Sequence, residues 1–226
     1  MVVAAAAALT ELEQEITAPG EGLDRLRLVE TPFVPEVRLH LAEDAIVWWA
    51  RMEAAAGGPL PAPYWASAWA GGQALARYLL DHPDLARGRR VLDLATGSGL
   101  VAIAAALAGA RQVVANDIDP YAAAAVTVNA RVNRVDVAAQ LGDLLDADIQ
   151  VDLLLAGDVL YDGDMAGRVL PFLRRAAAGG AQVLLGDPGR GHLSATGWET
   201  VVSYPVPTTE PSVDPAPRPV RVLRPA

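Results

Sequence analysis

The chain has 226 residues, 52% of them hydrophobic and 20% charged, which supports a packed core rather than global disorder. At roughly 150 residues per domain, that length fits one domain with an appendage or two small ones. A net charge of −9 and a pI near 4.8 argue against nucleic acid, which needs a basic patch for its phosphates, and favour a neutral or cationic partner.

Cysteine is absent, so disulfides, thiolate chemistry and cysteine-based zinc sites are excluded. His40, His82 and His192 are too scattered to suggest a metal site. All 18 basic residues are arginine, which with the abundant alanine reads as the codon bias of a GC-rich genome. The opening MVVAAAAALT has no basic flank and is too short to span a bilayer, and no other run approaches the ~20 apolar residues of a membrane helix. The expectation is a soluble, cytoplasmic protein with no membrane partner.

In chain order, residues 4–17 favour a helix that Pro19-Gly20 stops. EVRLHL (36–41) alternates as a strand, and 42–58 reads as a helix ending on a glycine pair. GPLPAPYW (58–65) is a proline-rich connector. Residues 1–60 therefore read as an N-terminal extension with helical character, and 61–226 as the main domain. There the pattern alternates: helix 71–82, strand RVLDLA, helix GLVAIAAALAGA, strand QVVAND, helix PYAAAAVTVNARVNR, weak strand VAAQL, strong strand VDLLLAG, a helix within 163–180 despite Pro171, and strand AQVLLGD. ETVVSYPV and RPVRVLR look like two closing strands, separated by a polar, proline-rich loop at 207–217. Alternation at this spacing predicts an α/β fold with a mainly parallel sheet covered on both faces.

In such a sheet, ligands bind beyond the carboxyl ends of the strands. The first main-domain strand ends in VLDLATGSGLVA (91–102). Gly97 and Gly99 allow close backbone approach, and the next helix offers free N–H groups. Asp117 ends the following strand 20 residues after Gly97, the spacing at which an acid meets ribose hydroxyls. Two cofactors fit these signals. Gly97-x-Gly99-x-x-Ala102 is an acceptable nicotinamide dinucleotide fingerprint. Asp93, however, would face the pyrophosphate unfavourably, whereas a carboxylate suits a cationic ligand. S-adenosylmethionine carries a ribose, an ammonium and a sulfonium, and no phosphate, which suits the pattern better.

Asp93-Leu94-Ala95-Thr96-Gly97-Ser98-Gly99 resembles the glycine-rich motif of the seven-strand methyltransferases, with Ala95 where that family commonly has glycine. Ala95 is expected to keep ordinary backbone angles. The resemblance implies a Rossmann-like sheet and a cofactor site that includes Trp69, Asn116, Asp117 and Ile118. It also implies Asp143, from GDLL (142–145), as acceptor for the adenine amino group; on sequence alone Asp143 fits a surface turn as well. DVLY (158–161) resembles the Asp-x-x-Tyr segment of a branch that mostly methylates protein lysines.

Together with PYWASAWAGGQALARYLLD, ANDIDP, NARVN and GDPGR in the same order, these motifs look like the electron transfer flavoprotein β-subunit lysine methyltransferases and their bacterial relatives. The resemblance implies that Asp158 orients a lysine ammonium, that Tyr161 flanks it, and that Trp69 closes over the donor. The flavoprotein β subunit would be the partner. GDPGR (186–190) reads either as a strand-to-turn connection or as Asp187 and Arg190 on the substrate side, and His192 as a loop residue. Trp48, Trp49 and Trp65 read as core. The alternatives are a small-molecule amine or ribosomal protein as acceptor, a non-catalytic cofactor-binding module, and an NAD-dependent enzyme.

Overall fold

The computed structural model describes residues 2–18, 20–193, 196–207 and 218–226. Most of the loop expected at 207–217 lies outside the described residues. The chain opens with helix α1 (Val2–Thr17), the hairpin β1 (Leu26–Thr31) and β2 (Val34–Ala42), and helix α2 (Ala45–Ala56). The main alternation follows: α3 (Ala70–Asp81), β3 (Arg90–Leu94), α4 (Leu100–Leu107), β4 (Gln112–Asp117), α5 (Pro120–Asn133), β5 (Ala138–Leu141), β6 (Leu153–Gly157), α6 (Gly163–Ala178), β7 (Gln182–Asp187), β8 (Trp198–Val206) and β9 (Arg218–Pro225).

The large sheet has seven strands in the order β5-β4-β3-β6-β7-β9-β8. Strands β5 to β7 run parallel, while β9 is antiparallel to both β7 and β8. Strand order reverses between β3 and β6, which opens a crevice beyond their carboxyl ends. The buried strands alternate between two cores. Val91, Val113, Leu153 and Leu155 face α3 and α4, and Leu92, Leu154, Val183 and Leu185 face α6. Burial on both faces explains why these strands read as unbroken apolar runs.

Residues 2–60 pack onto this unit through two further clusters. Ala8 and Leu12 of α1 and Trp48 of α2 meet Ala122, Ala125 and Val128 of α5, with Trp65 in the same cluster. Val37 and Leu39 of β2 meet Leu100, Ile103 and Ala104 of α4. Trp48 and Trp65 are buried edge to face, 5.3 Å apart, as expected of core tryptophans. Trp49 is half-buried and donates from its indole nitrogen to the Leu60 carbonyl. Strand β1 gives no clear alternation because only its ends, Leu26 and Thr31, are buried.

NARVN has a structural purpose. Asn129 and Asn133 lie one helical turn apart on α5. Asn133 Oδ1 accepts from Arg38 N at 2.9 Å while its amide donates to Arg38 O, and Asn129 Oδ1 accepts from His40 N at 2.7 Å. The two amides stand in for a neighbouring strand along β2.

Candidate active site

The glycine loop joins β3 to α4. Gly97 and Gly99 have φ of 54° and 85°. Ala95 also adopts a left-handed conformation, with φ of 51°, so the expectation of ordinary angles is wrong. The tight exit from β3 imposes this turn, although a Cβ costs roughly 1–2 kcal/mol there.

Asp93 is buried below the loop, 1% exposed. Its Oδ2 accepts from the Thr96 hydroxyl at 2.5 Å and from the Ala102 amide of α4 at 3.1 Å. Burial pushes its carboxyl up to about 7. The same carboxylate therefore caps the helix terminus that receives a phosphate in dinucleotide folds. The loop pocket is lined by Trp69, Asp93, Ala95, Thr96 and Gly97, among others, and among the described residues no basic side chain lines it. That chemistry suits a cationic, phosphate-free ligand and not a pyrophosphate.

Asp117 ends β4. Its Oδ2 accepts from Gly97 N at 3.0 Å and its Oδ1 from Asp119 N at 3.1 Å. Burial raises its carboxyl above the ordinary range. Ile118 beside it is 71% exposed, an apolar surface at the mouth. Asn116 is buried, and its amide donates to the Gln140 and Gly142 carbonyls, so it ties the ends of β4 and β5 together. Asp143 lies past β5. Its Oδ1 accepts from Leu145 N and its Oδ2 pairs with Arg168 at 2.6 Å, which holds its carboxyl below the usual range.

Asp158 follows β6 in a left-handed conformation, φ 60°, which Asp tolerates better than most residues. Val159 and Leu160 are buried in the α6-side core, and this anchors Asp158 inward while leaving Tyr161 46% exposed. Asp158 Oδ2 accepts from Gly71 N at the start of α3, at 3.1 Å. Its Oδ1 accepts from Arg190 Nε at 2.7 Å. The Arg190 guanidinium lies 5.6 Å from the Trp69 ring centre. Trp69 donates to the Tyr64 carbonyl at 2.7 Å, and Tyr64 stacks on Tyr161 with centroids 5.9 Å apart. Tyr64 is 59% exposed. Sequence reasoning missed this tyrosine, although it lies inside PYWASAW.

Not every acid near the opening belongs to it. Asp162 caps α6, accepting from Met165 N at 2.7 Å. Asp187 accepts from Gly189 N and pairs with Arg221 of β9, so its carboxylate ties β7 to its antiparallel neighbour. Of GDPGR, the turn reading holds for Asp187, and Arg190 reaches the site. His192 is an exposed loop residue. Among the described residues no helix is long and apolar enough to cross a membrane.

The family model for ribosomal protein L11 methyltransferase (PrmA) matches residues 73–160. Curated relatives named electron transfer flavoprotein beta subunit lysine methyltransferase match more of the chain. The rat protein is 43% identical over 71% of this chain and 63% of its own length, so the chain spans less than two thirds of that relative. The Xenopus laevis protein is 40% identical, with 76% and 71% covered. A Caenorhabditis elegans homolog is 32% identical, with 79% and 80% covered. Among solved structures, Trm5b from Pyrococcus abyssi superimposes with a TM-score of 0.55 at 17% identity, over 91% of this chain and 57% of that one, which supports the fold alone.

Proposed function

The chain belongs to the electron transfer flavoprotein β-subunit lysine methyltransferase family, and from that premise we propose that it moves methyl groups from S-adenosylmethionine to lysine of a protein, the flavoprotein β subunit. One arrangement carries the reading: the Asp158 carboxylate holds Arg190 over the Trp69 ring, and Trp69, Tyr64 and Tyr161 form a run of neighbouring rings beside the glycine-loop pocket, which among the described residues has no basic lining.

When bound, the donor supplies a methyl carbon on a sulfonium. The chain has to hold that donor and bring up an amine. Asp117 would accept from the ribose hydroxyls, and the exposed Ile118 would offer an apolar surface to the adenine. Asp143 retains acceptor capacity for the adenine amino group beside its Arg168 pair. Asp93, which lines the pocket, would favour the cationic end of the donor. The Trp69 indole lines the donor pocket and also lies under Arg190, so it would offer a cation–π face between donor and acceptor.

Free lysine has a pKa near ~10.4, and the attacking nitrogen has to be neutral. Asp158 attracts and aims the side chain, and Tyr64 and Tyr161 flank its stem. A nearby carboxylate also favours the ammonium, so it opposes deprotonation. Positioning the nitrogen about 3 Å from the methyl carbon and excluding water therefore carry the rate, with no dedicated general base.

A ribosomal protein is the second reading, favoured by the family-model match. That match ends at residue 160, so it covers the donor side and stops before Tyr161 and Arg190.

The test is intact-mass measurement of the flavoprotein β subunit incubated with enzyme and donor. Addition of methyl groups is expected, reduced by about 100-fold in Asp158→Asn, the scale of a misplaced acceptor. Methylation of a ribosomal protein instead would support the second reading. A full rate in Asp158→Asn would remove the role given to Asp158.

A further inference from the structure

The carboxylate that should meet the substrate already has a cation on it. Asp158 has a side chain only 4% exposed, with Arg190 on one oxygen and the Gly71 amide on the other. The guanidinium also lies over the Trp69 ring. A cation held between a carboxylate and an indole face is the environment a lysine ammonium would enter. Two cations cannot share that space.

We propose that Arg190 is an internal occupant of the lysine site, and that a substrate lysine binds by displacing it. The inference rests on the lysine methyltransferase reading. Arg190 sits in the turn after β7, between Gly189 (φ 81°) and Gly191 (φ 91°). Among the described residues, chain neighbours aside, neither glycine has an atom within 4 Å of where a Cβ would be, so no described side chain clamps the turn there. The displacement makes Arg190 a specificity-determining residue. A free small amine gains little more than the ion pair it replaces. A lysine carried on a docked protein brings contact energy from the rest of the surface, which offsets the loss of the Arg190 pair. The occupied site therefore favours protein acceptors over small amines.

The chain contains no lysine, so Arg190→Lys introduces a single one. Its Nζ would stand about where the guanidinium carbon stands now. With S-adenosylmethionine present, the sulfur–methyl bond breaks and a nitrogen–methyl bond forms. The electron pair stays on sulfur, leaving S-adenosylhomocysteine, and the amine proton passes to water. The expected result is self-methylation of R190K, read as methyl-sized mass steps that tandem mass spectrometry maps to residue 190.

A second arm needs no turnover. Arg190→Ala is expected to bind the unmethylated β subunit at least threefold more tightly than wild type, by calorimetry without donor. R190K unmodified, with R190A binding no tighter, overturns the displacement if the wild-type enzyme still methylates the subunit. A wild-type enzyme that methylates no protein overturns the functional reading beneath it.

Discussion

Gly71 at the start of α3 and Gly186 in β7 meet backbone to backbone: a Cβ on Gly186 would lie 2.1 Å from the Gly71 carbonyl oxygen. A Cβ on Gly71 would lie 2.5 Å from the Gly186 carbonyl and 2.6 Å from Asp158 N. This approach lets the Gly71 amide reach the Asp158 carboxylate, where the positive end of α3 favours the anion. Backbone atoms cannot yield as a flexible side chain would. Gly71→Ala and Gly186→Ala are each expected to cost about 3 kcal/mol or more, at the upper end of overpacking penalties. Gly72→Ala meets only side-chain atoms, at 3.7 Å and beyond, and is expected to fold like wild type. Denaturant unfolding of the three variants checks the contrast.

The same contact shows what the sequence conveys and what it hides. Strand and helix periods are local, so the alternation from β3 to β7 and the positions of Asp93, Asp117 and Asp158 at strand ends are readable from residue spacing. The glycines of WAGG and LLGD are visible too. Their mutual contact is not, because it joins segments more than a hundred residues apart. The partner of Asp158 is hidden for the same reason: Arg190 is 32 residues away, across a helix and a strand. Motif position places Asn116 near the cofactor and leaves Asp187 as either a turn or a substrate-side residue; their long-range partners, the Gln140 and Gly142 carbonyls and Arg221, are not visible in the motif. A motif fixes where a residue sits, and long-range partners decide what it does there.

Asn129 links the hairpin to the glycine loop. Its Oδ1 accepts from His40 N, and its Nδ2 donates to the Ser98 carbonyl at 2.9 Å. The residue is fully buried. Asn129→Ala leaves the Ser98 carbonyl and the His40 amide without these partners. A cost of about 2–4 kcal/mol is expected from two unsatisfied groups, together with weaker donor binding because Ser98 belongs to the loop. Asn133→Ala removes more exposed bonds and is expected to cost about 1 kcal/mol. Chemical denaturation and calorimetric donor titration separate the two variants.

Ala95→Gly is a substitution expected to help. The left-handed φ of Ala95 penalises its Cβ, while glycine adds unfolded-state entropy that offsets part of the gain. A net stabilisation of about 0.5–1 kcal/mol is expected. The Cβ also lines the pocket, so donor affinity should rise or stay level. A lower melting temperature in the variant would contradict the strain argument.

Asp93 should make stability depend on pH in a defined direction. Its folded pKa, about 7, lies above its ordinary value of 3.8, with burial as the main cause. The folded state therefore holds this proton more tightly than the unfolded chain does. The contribution is fully present below about pH 4 and is lost as pH rises through 7. Asp117 and Asp119 are shifted the same way by burial, and the Asp143 carboxyl the opposite way by Arg168, so the whole-protein profile mixes several groups. The informative quantity is the difference between wild type and Asp93→Asn, which keeps an acceptor for Thr96 and Ala102 but cannot ionise. Wild type is expected to lose stability relative to the variant between pH 4 and 7, in urea unfolding at a series of pH values. Parallel profiles would mean that Asp93 is ionised in the folded protein throughout, and that the loop tolerates a buried carboxylate without a bound cation.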